Sequence, residues 1–174
     1  MKKTILVIFC LLFITNNMLA DEKINTIYEG NPDAKIKLII YESLTCSHCA
    51  NFHKNVYPKL KKNFIDKGYI KIEFKNFPLD MAALNASKIA HCKNDGKSDV
   101  LHFLFENQEK WAQGNEIEDV NSNIKKILDT KKYGIDFEKC IINKKIPSIE
   151  RCFVYNMLKR FARNPLIYHM FKPI

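Results

Sequence analysis

This sequence predicts an α/β fold, a strand–helix–strand unit followed by a long all-helical segment, on three observations. Residues 35–43, KIKLIIYES, are apolar and rich in β-branched side chains, the composition of a buried central strand. From Cys46 the apolar period becomes three and four, so that Cys49, Phe52, Val56, Leu60 and Phe64 share one face of a helix. Residues 69–77 then alternate Ile70, Ile72 and Phe74 with Lys71, Glu73 and Lys75, the pattern of a half-buried strand.

Taken in chain order, the first twenty residues carry Lys2 and Lys3, an apolar run from Ile5 to Ile14, a polar stretch and the small residue Ala20. That is the pattern of a secretory signal peptide over 1–20, leaving 21–174 as one domain. The apolar run is half the length of about 20 residues that a membrane-spanning helix needs, which disfavours an uncleaved anchor. INTIYEGNPDAK reads as a short strand and a turn built on Gly30, Asn31 and Pro32. The strand–helix–strand unit covers about 35–78. Thr45 is placed to cap its helix, Pro58 to kink it, and Lys67 and Gly68 to end it. The helical pattern continues over 79–163, with segments at 81–92, 99–112, 121–131, 136–143 and 148–163. Residues 164–174 form a possible remnant strand opened by Pro165.

A chain of 174 residues with formal charge +9 is long enough for one domain with a real core. Loss of Lys2 and Lys3 with the leader would leave +7. The lysines are scattered along exposed helical positions rather than gathered with aromatics into a stripe. They read as a solvated basic surface, not as a nucleic-acid site. Of six cysteines, Cys10 lies in the leader, and Cys46, Cys49, Cys92, Cys140 and Cys152 remain. Export would place them where disulfides persist, and their odd number leaves one thiol free or paired outside the chain.

Cys46 and Cys49 sit at the first turn of the predicted helix, directly after a strand. The free N–H groups and dipole of the helix start favour a thiolate at Cys46, while Cys49, on the core-facing side, stays protonated. Such a pair exchanges disulfides: a substrate thiolate attacks Cys46, Cys49 leaves, and a second substrate thiol resolves the mixed disulfide. His48 can add a donor or a charge beside Cys46 and is the candidate tuning residue. The rival is zinc, with Cys46, Cys49, His53, His91 and Cys92 as possible ligands. A strand and a helix rather than a loop hold the pair, and no second Cys-x-x-Cys exists, so no metal site is expected. His53 is read as a boundary residue of the helix. The chemistry is carried by protein sulfur and calls for no cofactor.

The runs IIYESLTCSHCANFH (39–53), FKNFPLD (74–80) and NASKIAHC (85–92) resemble the DsbA-like thiol:disulfide interchange family, over about residues 28–140. The resemblance implies a thioredoxin-like fold with an inserted α-helical subdomain and a periplasmic address. It also implies donation of disulfides from Cys46 and Cys49 to reduced, partly folded exported proteins, with reoxidation by a membrane partner. The chain departs from the family in several places. Ser47 stands where the family often has proline. Its buried acid falls at Ile40 here, and Glu42, two residues on, is either its replacement as proton acceptor for Cys49 or an exposed strand-end carboxylate. A cis-proline beside the cysteines has Pro165 as its only good counterpart, Pro147 being poorer, and too few residues follow for a hairpin and closing helix. The C-terminal βα part is therefore expected to be incomplete. Some family members carry a second disulfide where Cys92 and Cys140 stand; closing that loop would contribute about 4 kcal/mol. The alternative is two independent buried thiols. Cys152 is left unpaired. Other readings of the whole chain are a disulfide reductase or isomerase, and a non-catalytic disulfide-stapled or metal-binding remnant of the fold.

Overall fold

The structure is a computed structural model that describes residues 24–142. The predicted leader, Pro147, the helix over 148–163, Cys152 and the strand opened by Pro165 lie outside the described residues. Among the described residues three strands form a sheet: β1 (Ile27–Glu29), β2 (Ile36–Glu42) and β3 (Ile70–Asn76), in the order β1-β3-β2. β3 runs parallel to β2, from Ile36 opposite Ile70 to Glu42 opposite Asn76, and antiparallel to β1. The parallel pair requires a crossover, which helix α1 (47–65) supplies. At the turn after β1, Gly30 has φ +92°, and a Cβ there would collide with the Ile70 carbonyl oxygen, so a side chain fits neither the backbone nor the space.

Among the described residues β3 is the middle strand. Ile72 and Phe74 on β3 are fully buried. β2 lies at the edge of the sheet formed by the described residues and leaves Ile36, Ile39 and Tyr41 exposed. The apolar composition of β2 signalled burial, but no described strand covers its outer edge.

The predicted helix face also needs correcting. α1 is α-helical over Ser47–Asn51 and Tyr57–Leu60 but widens to π-helical turns over Phe52–Val56 and Lys61–Ile65. Pro58 accounts for the first widening: it has no N–H to donate, and its ring crowds the carbonyl four residues back. The N–H of Tyr57 accordingly reaches the carbonyl of Phe52, five residues away. Each π turn inserts an extra residue and rotates the helix that follows. The buried positions become His53, Tyr57 and Ile65, while Val56 and Phe64 are exposed.

The helical subdomain comprises α2 (Met81–Ala90), α3 (Asp99–Glu106), α4 (Gln108–Trp111), α5 (Ile117–Ile127), α6 (Thr130–Tyr133) and α7 (Phe137–Ile142). Asp80 caps α2 by accepting from the Ala83 N–H at 2.7 Å. The expected segment 99–112 breaks at Asn107, whose side-chain amide donates back to the Phe103 carbonyl at 2.9 Å and so competes with the helix ladder. The segment expected over 121–131 starts earlier, at Ile117, and breaks at Leu128, which is extended and buried. Gly134, at φ +61°, ends α6. Phe105 and Trp111 are core residues, Trp111 donating its indole N–H to the Leu104 carbonyl at 2.7 Å. Phe103 packs against Tyr133 nearer the surface, and Leu79 is exposed.

Candidate active site

The segment between β2 and α1 is pinned from three sides. The Phe77 N–H donates to the Glu42 carbonyl at 2.7 Å, extending the β2–β3 pairing beyond the last strand residue. Thr45 donates its hydroxyl to Asp80 at 2.8 Å, and Ser43 Oγ lies 3.2 Å from Thr45 Oγ1. From α4, the buried Gln108 side-chain amide donates to the carbonyls of Leu44, at 2.7 Å, and Cys46, at 3.1 Å. Leu44 is fully buried between these ties. The loop thereby holds Cys46 at a fixed place against the helical subdomain.

Cys46, not Thr45, is the N-cap of α1. Its backbone is extended, and its Sγ accepts from the Cys49 N–H at 3.3 Å. Thr45 is turned away to Asp80. An N-cap side chain normally brings an oxygen to this task; here the acceptor is sulfur, and it accepts more strongly as a thiolate than as a thiol. Both cysteines are partly exposed free thiols. Burial, then the contact with Cys46 and the negative charges of Cys46 and Glu42, push the Cys49 thiol up to about 11, against a backbone hydrogen bond at Ser43 that pulls it down. His48, one residue into the helix, is exposed.

Glu42 is buried, not an exposed strand-end carboxylate, and its Oε2 lies 2.7 Å from His53 Nε2. His53 is likewise no boundary residue: with 4 % exposure it lies inside, stacked on Phe105 with ring centroids 4.0 Å apart. Its Nδ1 faces His102 Nδ1 at 3.1 Å. Both ring nitrogens of His53 are thus engaged, which leaves neither for a metal shared with the two thiols. Sequence reasoning missed Gln108, His102 and the inward turn of His53. The place of His53 four positions before Tyr57, which is buried, was the available signal for it; Gln108 offered none.

Cys92 and Cys140 are joined as a disulfide, with Cα atoms 5.2 Å apart, tying the chain just past α2 to α7. Cys140 is buried, and the two pairs of cysteines are therefore in different states in one structure.

A crossover sheet, a dithiol at a helix start and a helical subdomain behind it define the class of thioredoxin-fold thiol proteins, and comparison with known proteins agrees. The thioredoxin family model matches residues 22–163. The solved structure of Wolbachia pipientis alpha-DsbA1 superposes with a TM-score of 0.68 at 30 % identity, over 80 % of this chain and 71 % of that one. A Rickettsia bellii protein named "Putative protein-disulfide oxidoreductase" is 32 % identical over 124 residues, 70 % of this chain and 47 % of its own length. Disulfide bond formation protein D of Bacillus subtilis is 29 % identical over 119 residues, 63 % of this chain and 54 % of its own length. The chain belongs to the thioredoxin family, in its DsbA-like branch. It spans about half the length of the Rickettsia and Bacillus relatives.

Proposed function

We propose that the chain is an exported thiol:disulfide oxidoreductase that donates the Cys46–Cys49 disulfide to reduced, partly folded proteins. The observation that carries this reading is the inequality of the two sulfurs. Cys46 caps the helix and is partly exposed, whereas Cys49 is held as a thiol, pushed up to about 11. A client thiolate attacks Cys46 Sγ, the Cys46–Cys49 bond breaks, and the electron pair leaves on Cys49 Sγ, which takes up a proton. A second client thiolate then attacks the client sulfur of the mixed disulfide and releases Cys46 as a thiolate, which the Cys49 N–H receives. Glu42, buried behind the pair, is the proton exchanger for Cys49, and His48 tunes the Cys46 sulfur from the exposed side. Export, a periplasmic address and reoxidation by a membrane partner are supported by the leader pattern of residues 1–20 and by the DsbA-like relatives.

The test is trapping. A Cys49→Ala variant, mixed with a reduced unfolded protein carrying one accessible cysteine after activation of Cys46 as a mixed disulfide, should accumulate a covalent complex through Cys46 that reducing agent releases. Equilibration of the wild-type pair with glutathione gives the direction. Absence of any covalent complex, or a potential near that of cytosolic reductants, would reject disulfide donation.

A further inference from the structure

The main chain of Cys46 is held from both sides. Its N–H donates to the Ser43 carbonyl at 3.0 Å, and its carbonyl accepts from the Ala50 N–H, at the start of α1, at 3.1 Å. The same carbonyl accepts again, at 3.1 Å, from the side-chain amide of Gln108, which also donates to the Leu44 carbonyl at 2.7 Å. An amide –NH2 has two hydrogens, and here two carbonyls of one loop take them. Those carbonyls bracket Thr45 and Cys46, so a single side chain restrains the torsions between them.

Gln108 reaches the loop from another part of the fold, 62 residues along the chain from Cys46. A glutamine loses more rotamer freedom on burial than most side chains, yet this one is 8 % exposed and turns its donors to the redox loop. Its own position is fixed. The Gln108 carbonyl accepts from the Ala112 N–H at 2.8 Å, and Trp111, at the other end of α4, is fully buried with its indole N–H on the Leu104 carbonyl. Helix α4 is in this way an anchored mount for the amide.

The torsions that Gln108 restrains decide where the sulfur points. Cys46 has φ −77° and ψ 117°, and in that extended cap conformation its Sγ accepts from the Cys49 N–H at 3.3 Å. A hydrogen bond to the charged form of a group favours that form, and such a bond weakens steeply as its angle departs from linear. Freedom at the Leu44 and Cys46 carbonyls would let the cap turn and the sulfur leave the N–H.

We propose that Gln108 is a positioning residue for disulfide exchange: from the helical subdomain it holds Cys46 in the cap conformation, and so sets how far the reduced pair is stabilised over the oxidised one. The proposal rests on the reading of Cys46 as the attacked sulfur. Gln108 acts on it through the main chain and exchanges neither a proton nor an electron.

The test compares Gln108→Met, which keeps the length and loses both donors, with Gln108→Asn, which keeps the amide and withdraws it by one methylene. Each full-length variant is equilibrated with glutathione, alkylation of Cys46 by iodoacetamide is followed against pH by peptide mass spectrometry, and the urea midpoint is measured. In Gln108→Met the reduced pair should be disfavoured about three- to tenfold relative to wild type, and the midpoint of Cys46 alkylation should rise by about 0.5–1 pH unit, both changes reporting the same thiolate. Gln108→Asn should move both in the same direction and by less, and it carries the test if the Met variant does not fold. Ile89→Ala, which empties a fully buried position on α2, should lower the urea midpoint and move neither. Glutamine variants that lose stability but keep the wild-type equilibrium and alkylation profile would overturn the proposal and leave disulfide exchange standing, as would an equal shift in Ile89→Ala. A wild-type pair that does not react with glutathione would overturn both.

Discussion

The two cysteine pairs of this chain use the same atoms for different ends. Cys92 and Cys140 stand 48 residues apart in sequence and are joined, with Cys140 in the core. Cys46 and Cys49 stand one helical turn apart as free thiols, the Cys46 sulfur accepting from the Cys49 N–H and the Cys49 thiol pushed up by burial above all, with a smaller contribution from the Glu42 charge. The joined pair closes a long loop, and the larger the loop the more the open, unfolded chain loses by the cross-link. The short-range pair closes almost nothing, so its disulfide is governed by what stabilises the separated sulfurs. Polar contacts gather at the second pair, whereas the first is surrounded by packed helices. Reactivity here is a property of place rather than of spacing alone.

The contrast can be broken or sharpened by substitution. The largest effect is expected at the reactive sulfur: Cys46→Ser should lower disulfide transfer to a reduced client by on the order of 10³-fold or more, measured by recovery of a disulfide-dependent client enzyme, with little change in stability. The opposite profile is expected of the double change Cys92→Ala and Cys140→Ala. It should lower stability by about 4 kcal/mol in the chain-entropy model, read as a lower urea midpoint, while the reaction of Cys46 and Cys49 with glutathione persists. Loss of transfer in the second variant under conditions where it remains folded would erase the distinction between the pairs. The smallest effect concerns Cys49 alone. In a Cys46→Ser background its alkylation by iodoacetamide should reach half-maximal rate above pH 9.0, the ordinary thiol value, since burial and the Glu42 charge both disfavour the thiolate. Adding Glu42→Gln should bring that midpoint down by less than burial keeps it up, burial being the larger cause.

Much of the frame was legible because it rests on local pattern. The alternation of Ile70, Ile72 and Phe74 marked β3, and the step from strand to helix placed Cys46 where the chain turns inward. The face of α1 was not legible: a period of three and four assumes a regular helix, and the π turn before Pro58 shifts every later side chain. Val56 and Phe64 were counted inside on that assumption and lie outside. His53 was misplaced for a second reason. A histidine is tolerated in a core only when both ring nitrogens find partners, and its partners, Glu42 and His102, come from elements 11 and 49 residues away. No local rule relates them. Gln108 is the same case, since its bonds to Leu44 and Cys46 span more than sixty residues. The neighbours of β2 were not legible either, because composition reports that a strand is apolar and not which element covers it.

The hydrogen bond from the Cys49 N–H makes Cys46 Sγ, the atom attacked in the proposed exchange, also the first clasp of helix α1. Whenever Cys46 is bound to another sulfur it becomes a poorer acceptor, and the opening turn of the helix loosens. In the exchange proposed above, each round would unfasten and refasten a piece of backbone, and the amide proton of Cys49 should swap with deuterated water faster while the pair is oxidised than while it is reduced.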